Sequence, residues 1–223
     1  MKINDLQEFW GNELRPVDLD PRIARQLSAR TVQFLKRIGL PDGRRLVKEK
    51  RAFLEATIPL RSMVQNIERL AEDRSFRFTS TNLETLHVKG EAFISIGRKG
   101  MNHLGLKIGT GEVYLLDVSD LDQYSPLANP PVMFINAELE LCLRSLVYES
   151  NIHSKMIQPI VVYNDSIGVS ERKAEKNDAS VTIHTLILDL ENQLKAIDPR
   201  AFSEPNNYWQ SHIMDLKHSW DML

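Results

Sequence analysis

The sequence predicts an α+β fold: a twisted, mainly antiparallel sheet of about six strands with helices packed around it. Three observations carry this expectation. Residues 91–116, EAFISIGRKGMNHLGLKIGTGEVYLL, hold three short apolar runs separated by two glycine-bounded breaks, GRKG and GTG. Within the second run Leu104, Leu106 and Ile108 alternate with Gly105 and Lys107, the period of two that turns one strand face to a core and the other to water. Elsewhere, apolar residues recur at helical spacing in stretches too long for strands.

In chain order, Asn4 can cap a short helix carrying Leu6, Phe9 and Trp10, with Gly11 ending it. LRPVDLDP reads as a linker, because proline removes a donor and biases its predecessor to extended geometry. A helix starts near Pro21 and resumes or continues through TVQFLKRI, where Gly39 suits the position after the helix end and Pro41 blocks continuation. Residues 44–75 show little pattern except Leu60, Met63, Val64, Ile67 and Leu70, which place a helix near 60–72. Strands are expected near 76–79, 84–88, 92–97, 103–108, 112–117 and 132–135. The loops within 92–117 are too short for crossovers, so that part must be an antiparallel meander.

Asn136 is positioned to cap a helix over residues 137–150, with Leu139, Cys142, Leu143, Leu146 and Val147 as its buried stripe. Residues 164–180 are polar and charge-rich and read as a mobile loop, with Ser180 capping a helix that Asp198–Pro199 ends. Trp209, Ile213, Leu216 and Trp220 mark a last amphipathic helix. Leu106, Phe134, Leu139, Leu146 and Trp209 are expected in one buried cluster. The 223 residues suit a single domain, 1–223, with an N-terminal helical extension at about 1–28.

Composition narrows the function classes. Hydrophobic content of 42% and charged content of 26% are ordinary for a globular protein, and no run of 18 apolar residues would span a membrane. The opening MKINDLQEFW carries acids where a signal peptide would be apolar, and Cys142 stands alone in an apolar run; both lead to the expectation of a cytoplasmic protein. Charge is unevenly spread. Arg22 to Arg51 holds ten Lys or Arg against Asp42 and Glu49, a local +8 in a chain of net −2, whereas Gly111 to Glu149 holds seven acids against Arg144.

Catalytic signals are weak. The histidines at 87, 103, 153, 184, 212 and 218 show no HExxH or similar spacing and read as core or surface residues, so no metal, cofactor or catalytic residue is expected. SERK at Ser170–Lys173 matches the SxxK pattern of serine acylases but has no partner motif. GRKG is flanked by strands rather than by the helices that a nucleic-acid-clamping GxxG loop requires. The basic cluster RRLVKEKR lacks interleaved aromatics and reads as a solvated segment or one that faces the protein's own acids.

Set in order, TVQFLKRIGLP, AFISIG…LGLKIGTGEVYLL, VMFINAELELCLRSL and LENQLKAIDPRAF with YWQSHIMDLKHSW resemble the SUKH superfamily, and within it the fourth immunity subgroup. The residues that carry the resemblance are Phe34, Leu35, Gly39, Leu40 and Pro41; Ile96 and Gly97; Thr110, Gly111 and Val113; Phe134 and Asn136; and Ile197, Asp198, Pro199 and Trp209. Glu138 stands where that pattern usually has serine, and Cys142 where phenylalanine is common. The resemblance implies a twisted antiparallel sheet wrapped by helices. It also implies a non-catalytic immunity protein that binds a cognate toxin domain, a nuclease or nucleic-acid deaminase.

A toxin that acts on nucleic acid presents a basic cleft, to which an acidic surface is complementary. Residues 117–131 hold three aspartates and no Lys or Arg, so Asp117, Asp120, Asp122 and Tyr124 are the candidate contacts. The alternatives are a regulatory protein–protein scaffold and nucleic-acid binding through residues 22–51.

Overall fold

The computed structural model describes residues 3–57, 67–81, 83–117 and 132–221. It contains eight helices among the described residues: α1 (Ile3–Trp10), α2 (Pro21–Ala24), α3 (Ala29–Arg37), α4 (Arg44–Thr57), α5 (Ile67–Arg74), α6 (Leu139–Asp165), α7 (Lys173–Ile197) and α8 (Tyr208–Asp221). Two short strands, β1 (Leu14–Arg15) and β2 (Leu40–Pro41), form a small ladder of their own. Six more form the main sheet: β3 (Phe76–Phe78), β4 (Thr85–Val88), β5 (Glu91–Lys99), β6 (Asn102–Lys107), β7 (Val113–Leu116) and β8 (Val132–Asn136).

The sheet order is β3-β5-β6-β7-β8 and every pairing is antiparallel. β3 and β4 share the β5 edge opposite β6: β4 pairs with residues 91–94 and β3 with residues 97–99. The 92–117 stretch is the expected meander. One correction concerns its faces. Leu104, Gly105 and Leu106 are all buried, because the second face of the sheet carries a small cluster of Val88, Phe93 and Leu116 rather than water. Gly105 makes that cluster possible, since a Cβ there would lie 2.6 Å from Leu116 Cδ1.

The main core runs from Leu6, Phe9 and Trp10 through Leu106, Leu139 and Leu146 to Trp209 and Trp220. Of the five residues expected in it, Phe134 alone is only partly buried; its ring packs edge-on against Tyr114 at 5.4 Å and lies under the Arg200 guanidinium.

Several helix boundaries differ from the sequence reading. α4 occupies the patternless basic stretch, and its buried Leu46, Phe53 and Leu54 provide the apolar face that the surrounding Lys and Arg obscured. Of the helix expected near 60–72, residues 67–72 lie in α5, and residues 60–66 are outside the described residues. α6 runs fifteen residues past its expected end, through Pro159, because Ile152, Met156, Ile160 and Tyr163 continue its buried stripe. The expected mobile loop over 164–180 is overturned: α6 ends at Asp165, a single 3-10 turn spans Ser170–Arg172, and α7 begins at Lys173. Ser180 therefore lies inside α7 and caps nothing.

The linker expectation for LRPVDLDP also missed a contact. Gly39 takes φ +88° after α3, and its missing Cβ lets β2 meet β1, since a Cβ would stand 1.9 Å from the Arg15 carbonyl oxygen.

Candidate functional site

Two buried polar assemblies lie at the contact between the sheet and the C-terminal helices. The first joins residues that are far apart in sequence. Asn136, at the end of β8, was expected to cap the following helix. Instead Glu138 takes the N-cap position without a side-chain cap bond, and the Asn136 amide turns inward. Asn136 Nδ2 donates to Asp198 Oδ2 at 3.2 Å, and Asn136 Oδ1 accepts from Trp209 Nε1 at 2.9 Å. Asp198 Oδ2 also accepts from the Ala137 backbone at 2.7 Å, while Asp198 Oδ1 accepts from Arg200 N at 3.1 Å and caps the 3-10 turn after α7. Arg200 then reaches Glu112 in the β6–β7 hairpin at 2.5 Å. The Asn of one sequence motif and the Asp and Trp of another thus form one closed hydrogen-bonded junction.

The second assembly was missed by sequence reasoning. Glu149 and His153 stand one turn apart on α6, and His212 comes from α8. Glu149 Oε1 lies 3.0 Å from His212 Nε2, 3.6 Å from Lys50 Nζ of α4 and 4.0 Å from His153 Nε2. The rings are held flat: Phe53 stacks on His153 at 4.2 Å, and Tyr208 lies parallel to His212 within 7°. Tyr208 Oη in turn accepts from Lys99 Nζ at the end of β5. The one available signal was the i, i+4 spacing of Glu149 and His153 inside an apolar helix. His212 is not readable as their partner until α8 docks.

Burial sets the protonation states here. It pushes the Glu149 carboxyl up, but His212 and then Lys50 outweigh it and hold the group well below the usual carboxylate range. Burial holds His153 well below its ordinary value, and it lowers His212 despite the pull of Glu149. Lys50, which also faces Glu149, is itself lowered by burial. Burial also brings Lys99 down to about 8 and pushes Tyr208 well above the ordinary phenol.

Of the residues chosen from sequence as partner contacts, Asp117 lies just after β7 and lines a hollow of about 180 Å³ with Lys99, Tyr208, His212 and Asp215. Asp120, Asp122 and Tyr124 lie outside the described residues. The central acid excess is largely matched internally: Glu112 pairs with Arg200, Glu138 and Glu140 with Arg30, Glu140 also with Arg144, and Glu149 with Lys50. The same holds for the basic segment, where Arg30, Arg44, Arg45, Lys50 and Arg51 are all ion-paired, and Arg45 also covers the Phe9 ring at 3.9 Å. Half of its ten cations are thus ion-paired within the chain.

No helix among the described residues is long and apolar enough to cross a membrane. No protein-family model, curated protein or solved structure matches this chain.

Proposed function

We propose that this chain is a non-catalytic immunity protein of the SUKH superfamily, in its fourth immunity subgroup. In this reading it acts in the cytoplasm by binding a cognate toxin domain that attacks nucleic acid. The observation that carries the reading is the Asn136–Asp198–Trp209 junction. These residues belong to the motifs that bear the resemblance, and their side chains meet in one buried hydrogen-bonded group. A chance scatter of short matches would have no reason to converge, whereas a shared fold signature would.

The role assigned to the junction is structural, so the partner surface is sought elsewhere. Asp117, Asp120, Asp122 and Tyr124 remain the proposed contacts, since residues 117–131 hold three aspartates without Lys or Arg. Their charge would steer a basic cleft toward the protein and raise the association rate more than the final affinity.

The test is to search the neighbouring genes for a toxin domain and to co-express this chain with it, followed by binding kinetics. Protection of the host and a stable complex are expected. Changing Asp117, Asp120 and Asp122 together to Asn should slow association by about tenfold at low salt, with the deficit shrinking as salt screens the steering. Cell death despite co-expression, with no complex, contradicts the immunity reading. Wild-type kinetics for the triple variant would move the contact surface away from this segment.

A further inference from the structure

The Glu149–His153–His212 cluster has no role in the proposed toxin binding, yet its three side chains stand close enough to hold a metal ion together. Each residue offers a donor atom, and all three lie within 4.8 Å of one another. A tetrahedral site with metal–ligand distances of 2.0–2.1 Å has donors roughly 3.4 Å apart. The 3.0 Å and 4.0 Å separations from Glu149 Oε1 to the two Nε2 atoms straddle that value.

A second observation separates this from an ordinary buried ion pair. His153 is 3% exposed, and neither its Nε2 nor that of His212 has a hydrogen-bond partner among the described residues. An imidazole paired with a carboxylate would aim an N–H at it. Here His212 Nε2 lies 3.0 Å from Glu149 Oε1, whereas the buried His153 Nε2 stands 4.0 Å from the same oxygen, beyond hydrogen-bond reach, so a donor atom beside the carboxylate is left unused. We propose that Glu149, His153 and His212 bind one divalent transition-metal ion of the zinc class.

The donor chemistry fits the ion. Two imidazole nitrogens and one carboxylate oxygen suit zinc, cobalt or nickel, whereas magnesium and calcium require sets made mostly of oxygen. A hollow of about 20 Å³ adjoins the cluster, lined by Lys50, Glu149, Ser150 and His153. That is room for one water as the fourth ligand. The stacked Phe53 and Tyr208 rings fix the ring planes. Lys50 is the competitor: its ammonium occupies one side of Glu149, and the metal must take over that charge. The bound ion would clasp α6 to α8.

The full-length chain, dialysed against a chelator, is titrated with cobalt(II) and followed by visible absorption, then challenged with zinc. The expected result is one ion per chain, a tetrahedral ligand-field band that zinc abolishes, and a higher melting temperature with either ion. Glu149→Gln and His212→Gln should each weaken binding by more than about 100-fold, beyond what loss of an outer-shell partner costs. Lys50→Met should tighten it, and His184→Gln should leave it unchanged. Should a ligand variant fail to fold, the wild-type titration and the Lys50 variant still decide. Absence of saturable one-to-one binding by the wild type overturns the site, as does binding that survives in both ligand variants.

Discussion

The Asn136–Asp198–Trp209 junction and the Glu149–His153–His212 cluster are alike in burial, in polar content and in drawing on α8. They differ in how their hydrogen bonds close. In the junction both Asn136 amide atoms, both Asp198 oxygens and the Trp209 indole N–H are matched, and the carboxylate holds a backbone amide on either side. In the cluster the His153 Nε2 is buried without a hydrogen bond beside a carboxylate that His212 and Lys50 both claim. A satisfied buried network is worth stability and specifies one arrangement of the chain. An unsatisfied one costs stability and calls for an explanation, of which a bound ion is one. The junction therefore reads as architecture and the cluster as a site.

The largest effect expected from this contrast is at Asp198. Asp198→Ala leaves Asn136 Nδ2, Ala137 N and Arg200 N without their acceptor, and the cost should be about 3–5 kcal/mol in urea unfolding. A loss under about 1 kcal/mol would show that the junction does not hold the fold.

A smaller effect is expected at the rim of the cluster, and it depends on pH. Lys99 has its folded value depressed to about 8, against roughly 10.4 in the unfolded chain. Between those values the unfolded state binds more protons, so stability should rise with pH from 8 toward 10, by about 1–2 kcal/mol after allowance for partial exposure. Above about 10 the raised Tyr208 reverses the trend, since the unfolded phenol then ionises first. Lys99→Met should flatten the rise, and a variant that keeps the wild-type slope would remove Lys99 as its source.

The smallest effect is expected at His153. In chelator, His153→Leu should change stability by less than about 1 kcal/mol, because it exchanges an imidazole whose buried Nε2 makes no hydrogen bond for an apolar group of similar size. A loss as large as that at Asp198 would make the cluster architectural too.

The two regions also differ in what sequence could reveal. The sheet was legible because GRKG and GTG punctuate it and its strands are short and apolar. The junction was visible only as an order of motifs. Asn136 before an apolar run has the local signature of a helix cap, and its distant partners Asp198 and Trp209 outcompeted that role. α4 was hidden because its apolar face is three residues among many charges, and the extension of α6 because Pro159 and polar neighbours read as a stop. The cluster was legible only in half: Glu149 and His153 share a helix face, but His212 and Lys50 reach them solely through packing of α8 and α4 against α6.

The most direct measurement is an anomalous difference map at the zinc edge, from crystals of the full chain grown with equimolar zinc. The account predicts a peak bounded by Glu149 Oε1, His153 Nε2 and His212 Nε2, with Lys50 displaced from the carboxylate and the Asn136–Asp198–Trp209 bonds unchanged. A map with no peak between those three atoms would contradict it.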